Sequence, residues 1–178
     1  MKFAQIILSA LMAGASLNVS AQNDNSISFG VGVNPLGVIS TFEFQHAFGN
    51  SFSLGIRQIG LSYNYVDSSY QEKGVGSGAE FRAQYFFDHE GIKGSYLAVG
   101  TGNLSFSWDW IRPYSSGSGT SSGQLTTLSF GNVIPLGKNG FFDPYLTLGG
   151  VAMQESNPKT NLAGVAVVIA GVNLGLVF

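Results

Sequence analysis

The sequence predicts an all-β chain: an eight-stranded antiparallel up-and-down transmembrane β-barrel behind a cleaved signal peptide. Three observations predict it. The stretch Gly164 to Phe178 alternates, with Ala166, Val168, Ala170, Val172, Leu174, Leu176 and Phe178 on one wholly apolar face, the pattern of a strand with one side in lipid. Only 10% of residues are charged, while glycine numbers 25 and aromatics reach 13%. Earlier stretches alternate in the same way between turn-forming clusters. A soluble β-sandwich could share the glycine and the short strands, but it normally carries more charge.

Taken from its start, the chain first shows an export signal. Phe3 to Leu17 is largely apolar behind Met1-Lys2, and Val19-Ser20-Ala21 precedes a cut before Gln22. This predicts a signal peptide over residues 1–21 and one barrel domain over residues 22–178. Removing Lys2 from the 8 basic residues leaves 7 against 10 acidic ones, a net charge of −3. No nucleic-acid partner is expected from so weak a balance. Cysteine is absent, so export brings no disulfide framework.

The first strand is read over Ser26 to Val33, with Ile27, Phe29, Val31 and Val33 on one face. Asn34-Pro35-Leu36-Gly37 forms a tight turn, proline and glycine setting its dihedrals. The second strand, Val38 to Phe48, turns Phe42 and Phe44 outward and Thr41, Glu43 and Gln45 inward. After Gly49-Asn50 the third strand puts Phe52, Leu54 and Ile56 out and Ser53, Gly55 and Arg57 in. Ile59, Leu61, Tyr63 and Tyr65 then take the opposite parity, which predicts a bulge near Gln58 or Gly60.

Val66 to Gly78 reads as a long polar loop. The fourth strand follows with Phe81, Ala83, Tyr85 and Phe87 out and Glu80, Arg82 and Gln84 in. Asp88 to Gly94 turns the chain. The fifth strand, Ser95 to Ile111, is expected to place Leu104, Phe106, Trp108 and Trp110 outward, the two tryptophans forming an aromatic girdle. Arg112 to Gly123 is rich in serine and glycine and reads as a loop. The sixth strand spans Gln124 to Ile134 and the seventh Phe141 to Met153, joined through Pro135 to Gly140. Gln154 to Asn161 is the last loop before the closing strand.

A helix is the rival reading of that closing stretch. Leu162 to Phe178 is seventeen residues long, close to the lower limit for a membrane helix. Gly164, Gly171 and Gly175, with many β-branched neighbours, favour the strand instead. The resulting count of eight is even. With both termini in the periplasm, three of the four outer connections are long and all the inner ones are shorter, the asymmetry such barrels show.

From the signal peptide to the final Gly-Val-Asn-Leu-Gly-Leu-Val-Phe, the chain resembles the small eight-stranded bacterial outer-membrane barrels. The Ala21-Gln22 junction resembles exported proteins of the Bacteroidota. The resemblance implies the bacterial outer membrane as location and outer-membrane lipid as surroundings. It also implies barrel-assembly machinery as a partner during biogenesis, with Leu174, Leu176 and Phe178 as the assembly signal. Such barrels include adhesins, envelope stabilisers, small-ligand carriers and a few lipid-modifying enzymes, so fold alone does not select a role.

Chemistry-bearing residues are few. Glu43, Arg57, Glu80 and Arg82 all fall on inward faces, forming an inner charge network. The three-residue connection Gly49-Asn50-Ser51 places Glu43 opposite Arg57. Arg57 is therefore expected to contact Glu43 or Glu80. The network could line an ion path or plug the lumen; eight strands leave an interior just wide enough for side chains, which favours the plug.

His46 and His89 are the only histidines, and neither has the serine spacing of barrel lipid hydrolases. Asp88-His89-Glu90 reads as a solvated turn rather than a metal site. Gly74 to Gly78 and Gly100-Thr101-Gly102 lack the helix a phosphate loop needs. No cofactor and no enzyme activity are expected. The leading reading is a non-enzymatic barrel with a filled lumen that stabilises the envelope or presents extracellular loops to a partner. A small pore or carrier for an apolar ligand, and a lipid-modifying enzyme, are the alternatives.

Overall fold

The computed structural model describes residues 24–35, 37–88, 91–154 and 165–178. The predicted signal peptide 1–21, the turn residues His89 and Glu90, and the loop after Gln154 lie outside them. The described residues form eight strands: β1 (Asn25–Asn34), β2 (Gly37–Phe48), β3 (Phe52–Asp67), β4 (Tyr70–Phe86), β5 (Gly94–Arg112), β6 (Ser115–Leu136), β7 (Gly140–Gln154) and β8 (Val165–Val177). Each pairs antiparallel with the next, and β8 pairs antiparallel with β1 to close a barrel. Closure leaves no edge along the ring, which a strand in lipid requires.

The register fixes the barrel's shape. Starting at Val177, successive partners are Ser26, Gln45, Gly55, Arg82, Gly100, Thr127 and Gly149, and the path returns to β8 at Val167. The ring closes with a stagger of ten residues, 177 minus 167. Eight strands with that stagger tilt by about 40°.

Burial is inverted relative to a water-soluble protein. Phe29 and Phe81 are each 65% exposed, and Leu54, Ile56, Val99, Phe130, Leu148, Leu174 and Leu176 also face outward. Inside lie Ser26, Thr41, Glu43, Gln45, Arg57, Glu80, Arg82 and Gln84, all buried. Charged groups are almost never fully buried unless paired, and an exposed belt of large apolar side chains is costly in water. Lipid around the belt removes that second cost.

The lumen is layered along the barrel axis. At the end that carries Asp24 and Phe178, Ala47, Phe86, Ile92, Tyr96, Val133 and Phe141 pack as an apolar floor. The charged and amide side chains fill the middle. Above them Ile39, Ile59, Leu104, Leu125 and Val151 form a second apolar cluster, with Leu61, Phe106, Val167 and Ile169 packed against it.

Four sequence expectations are corrected here. Val66 to Gly78 is not a loop: β3 and β4 stay paired up to Asp67 and Tyr70, leaving a tight Ser68-Ser69 turn. Arg112 to Gly123 is likewise strand, with β5 and β6 paired from Gly94–Val133 to Arg112–Ser115. Both hairpins therefore lengthen the wall instead of crossing over it.

The bulge at Gln58 or Gly60 does not exist; the β2–β3 and β3–β4 registers run unbroken through both residues. Ile59 and Leu61 share the face of Arg57 and point into the lumen. Trp108 and Trp110 share the face of buried Leu104, so they are not an outward girdle. Asn103, Ser105, Ser107 and Asp109 hold the outer positions instead. The physical reason is the same in each case. Past the lipid belt the outer face meets water, so polar residues take it and apolar ones turn inward.

Candidate functional site: a charge cluster across the lumen

The register brings four ionisable side chains from three adjacent strands to one level. Glu43 lies across from Arg57, and Arg57 lies across from Glu80. Arg82 is two residues from Glu80, on the same inward face of β4. Arg57 donates to Glu43 Oε2 from Nε at 2.9 Å and from Nη2 at 2.6 Å. Arg82 Nη1 donates to both Glu43 oxygens, at 2.9 and 2.7 Å. Glu43 is thus shared by two guanidinium groups. Glu80 Oε2 stands 3.9 Å from Arg57 Nη1 and 4.0 Å from Arg82 Nε, closing a formally neutral quartet.

Burial makes the quartet consequential. The four side chains are 0–5% exposed. Two cations and two anions in such a place hold one another against a desolvation cost on the order of several kcal/mol per ion. Thr127 donates to Glu80, and the Arg57 guanidinium sits 5.4 Å from the Tyr145 ring centre. Small residues in the wall make room. A methyl at Gly100 would stand 2.0 Å from Glu80 Oε1, and one at Gly30 would stand 1.9 Å from Asn173 Oδ1.

A polar belt extends the quartet around the lumen. Asn173 Nδ2 and Tyr96 OH donate to Asp143 Oδ2 at 2.7 and 3.2 Å, and Thr41 donates to Asn173 Oδ1 at 3.2 Å. Gln45 donates to Gln84 and to Ser53. Asp143, Tyr96 and Thr127 are additions to the residues expected from sequence. The signal for Asp143 is the opposite parity of Phe142, Pro144, Leu146 and Leu148 along β7, which turns Asp143 inward.

His46 does not join this belt. It shares the outward parity of Phe44 and Phe48, pairs through Nδ1 with Asn25 Oδ1 at 2.9 Å, and meets Phe48 edge-on at 4.6 Å between ring centres. Among the described residues no cluster of histidine and carboxylate ligands could hold a metal.

The far end of the wall carries a second group of side chains. Tyr63 OH donates to Glu72 Oε1 at 2.8 Å, and Tyr70 OH donates to its other oxygen. The hydrogen bond to Glu72, then burial, holds the Tyr70 phenol above its ordinary pKa. Arg112 lies 5.4 Å from the ring centres of both Tyr70 and Trp110.

Fold and lumen together define an eight-stranded, up-and-down barrel of the outer-membrane type. Among solved structures, the chain is similar to the N-terminal β-barrel domain of Pseudomonas aeruginosa OprF, at 15% identity. That match covers 88% of this chain and 98% of the other, with a TM-score of 0.51. It is also similar to Ail, the attachment invasion locus protein of Yersinia pestis, at 9% identity and a TM-score of 0.55, covering 85% and 96%. No family model matches the sequence, and no curated protein matches it.

Proposed function

We propose that this chain is a non-enzymatic integral protein of the bacterial outer membrane. Its lumen is sealed by its own side chains, and it stabilises the envelope or presents its outer end to a partner. The observation that carries this reading is the Glu43–Arg57–Arg82–Glu80 quartet, which spans the lumen between two apolar layers. A conducting path would need a continuous wet column, and a neutral, mutually bonded cluster opposes one.

The exposed lipid-type belt supports outer-membrane placement, and the parity of Leu174, Leu176 and Phe178 supports handling by barrel-assembly machinery. The Ala21-Gln22 junction supports an origin in the Bacteroidota. The upper apolar layer is what a carrier for apolar ligands would use, but its side chains pack on one another, which supports a filled lumen. The pairing of His46 with Asn25 supports a structural part for it rather than lipid hydrolysis.

Two measurements test this reading. The purified barrel in planar bilayers is expected to give no steady open-channel current, and large sustained single-channel steps would refute the plug. Membrane fractionation should place the mature chain in the outer membrane, with a β-type circular dichroism spectrum in detergent. A soluble periplasmic product would overturn the placement.

A further inference from the structure

The ring of eight strands does not end evenly. Among the described residues β2 pairs with β3 as far as Gly37–Tyr63, and β7 pairs with β6 as far as Ser122–Gln154. Beyond those points β3, β4, β5 and β6 remain paired with one another, up to Asp67–Tyr70, Gln71–Ile111 and Arg112–Ser115. Among the described residues a four-stranded wall therefore continues past those pairs, at the end opposite Asp24 and Phe178.

Its lumen-side face brings together Tyr63, Tyr70, Glu72, Trp108, Trp110 and Arg112. Three of the rings lie directly on glycine backbone. A Cβ would stand 2.3 Å from the Tyr63 ring at Gly74, 2.5 Å from the Trp108 ring at Gly119 and 2.7 Å from the Trp110 ring at Gly117. Each of these rings therefore rests on sheet backbone on the lumen side, and each side chain stays partly exposed. Glu72 and Arg112 sit among the rings, held by the two tyrosine hydroxyls and by Tyr70 and Trp110.

We propose that this face is a saccharide-binding platform that takes the pyranose rings of an oligosaccharide. A pyranose presents a C–H face that packs on an aromatic ring, with hydroxyls around its rim. Those hydroxyls donate to the Glu72 carboxylate and accept from the Arg112 guanidinium, the few placed polar groups a binding site needs. An alkyl chain would desolvate both charges and return no hydrogen bond. The proposal rests on the reading of the barrel as one that presents its outer end. The sugar could come from a free polymer or from the headgroup of an outer-leaflet glycolipid, and both offer the same rings.

The chain's two tryptophans are Trp108 and Trp110, so intrinsic fluorescence of the detergent-solubilised barrel reads this face alone. The probes are maltohexaose, chitotetraose and the delipidated core oligosaccharide of lipopolysaccharide. At least one is expected to shift the emission saturably; a response to the core sugar alone assigns the glycolipid as source, and a response to a free polymer assigns that polymer. Glu72→Gln and Arg112→Gln keep the reporter and should each weaken that response by about tenfold, the scale of losing one anchor in an interface. No response to any of the three sugars overturns the proposal. So does wild-type affinity in both variants, or a shift with a fatty acid alone. Heat-modifiable gel migration certifies that each preparation is folded, and the bilayer current tests the sealed lumen separately.

Discussion

Replacing Glu43 with alanine is expected to lower the stability of the barrel by about 3–5 kcal/mol, the range for removing one partner of a buried ion pair. Glu43 is 4% exposed and accepts hydrogen bonds from both Arg57 and Arg82. Without it, two buried guanidinium groups face each other, and the ion pair left to them among the described residues is the looser one with Glu80, at 3.9 and 4.0 Å. Glu43→Gln keeps the volume and one acceptor oxygen, so its loss should be smaller. Urea unfolding in lipid vesicles, followed by heat-modifiable gel migration, gives the comparison. A wild-type midpoint in the alanine variant would show that the quartet does not hold the lumen together.

The lower two-thirds of the barrel was legible because one physical rule governed it. Where lipid lies outside, alternation assigns faces, and Phe29, Phe44, Leu54, Phe81 and Phe130 sat at outward positions that their parity predicted. The same rule misread the upper part. Beyond the belt water lies on the outer side, so the apolar set of β5, from Leu104 to Trp110, belongs inside. A change of surroundings at Gln58 mimics a change of strand phase, so the sequence suggests a bulge where the ladder is continuous. Arg112 to Gly123 reads as a loop because serine and glycine favour turns. Two of its glycines are small because the tryptophan rings lie on them.

The charge quartet was partly legible for a related reason. Glu43, Arg57, Glu80 and Arg82 occur inside the lipid belt, where inward parity and a short connection are enough to set the facing pairs. Which carboxylate would be shared was not readable, since that depends on how far each guanidinium reaches across a tilted wall. Asp143 and Asn173 meet across the β7–β8 pair, but the loop between those strands offered no register from which to derive the contact.

The closing strand carries the last expected result. Phe178→Asp should reduce insertion in cells far more than it disturbs a barrel refolded in detergent. Phe178, Leu176 and Leu174 are 49%, 53% and 57% exposed on one outward face. Phe178 N donates to Asn25 O at 2.9 Å, and Asn25 N donates to Phe178 O at 3.1 Å, so the backbone closure needs no aromatic ring. A carboxylate at the interface end of a lipid-facing strand costs only about 0–1 kcal/mol or less. The folded barrel can absorb that. Recognition of the strand end by assembly machinery has no such reserve, because the ring itself would be the feature read. The two preparations are compared by heat-modifiable migration, one from cell membranes and one refolded. Equal insertion of variant and wild type in cells would show that this strand end is not an assembly signal, and equal loss in both preparations would assign the ring to stability instead.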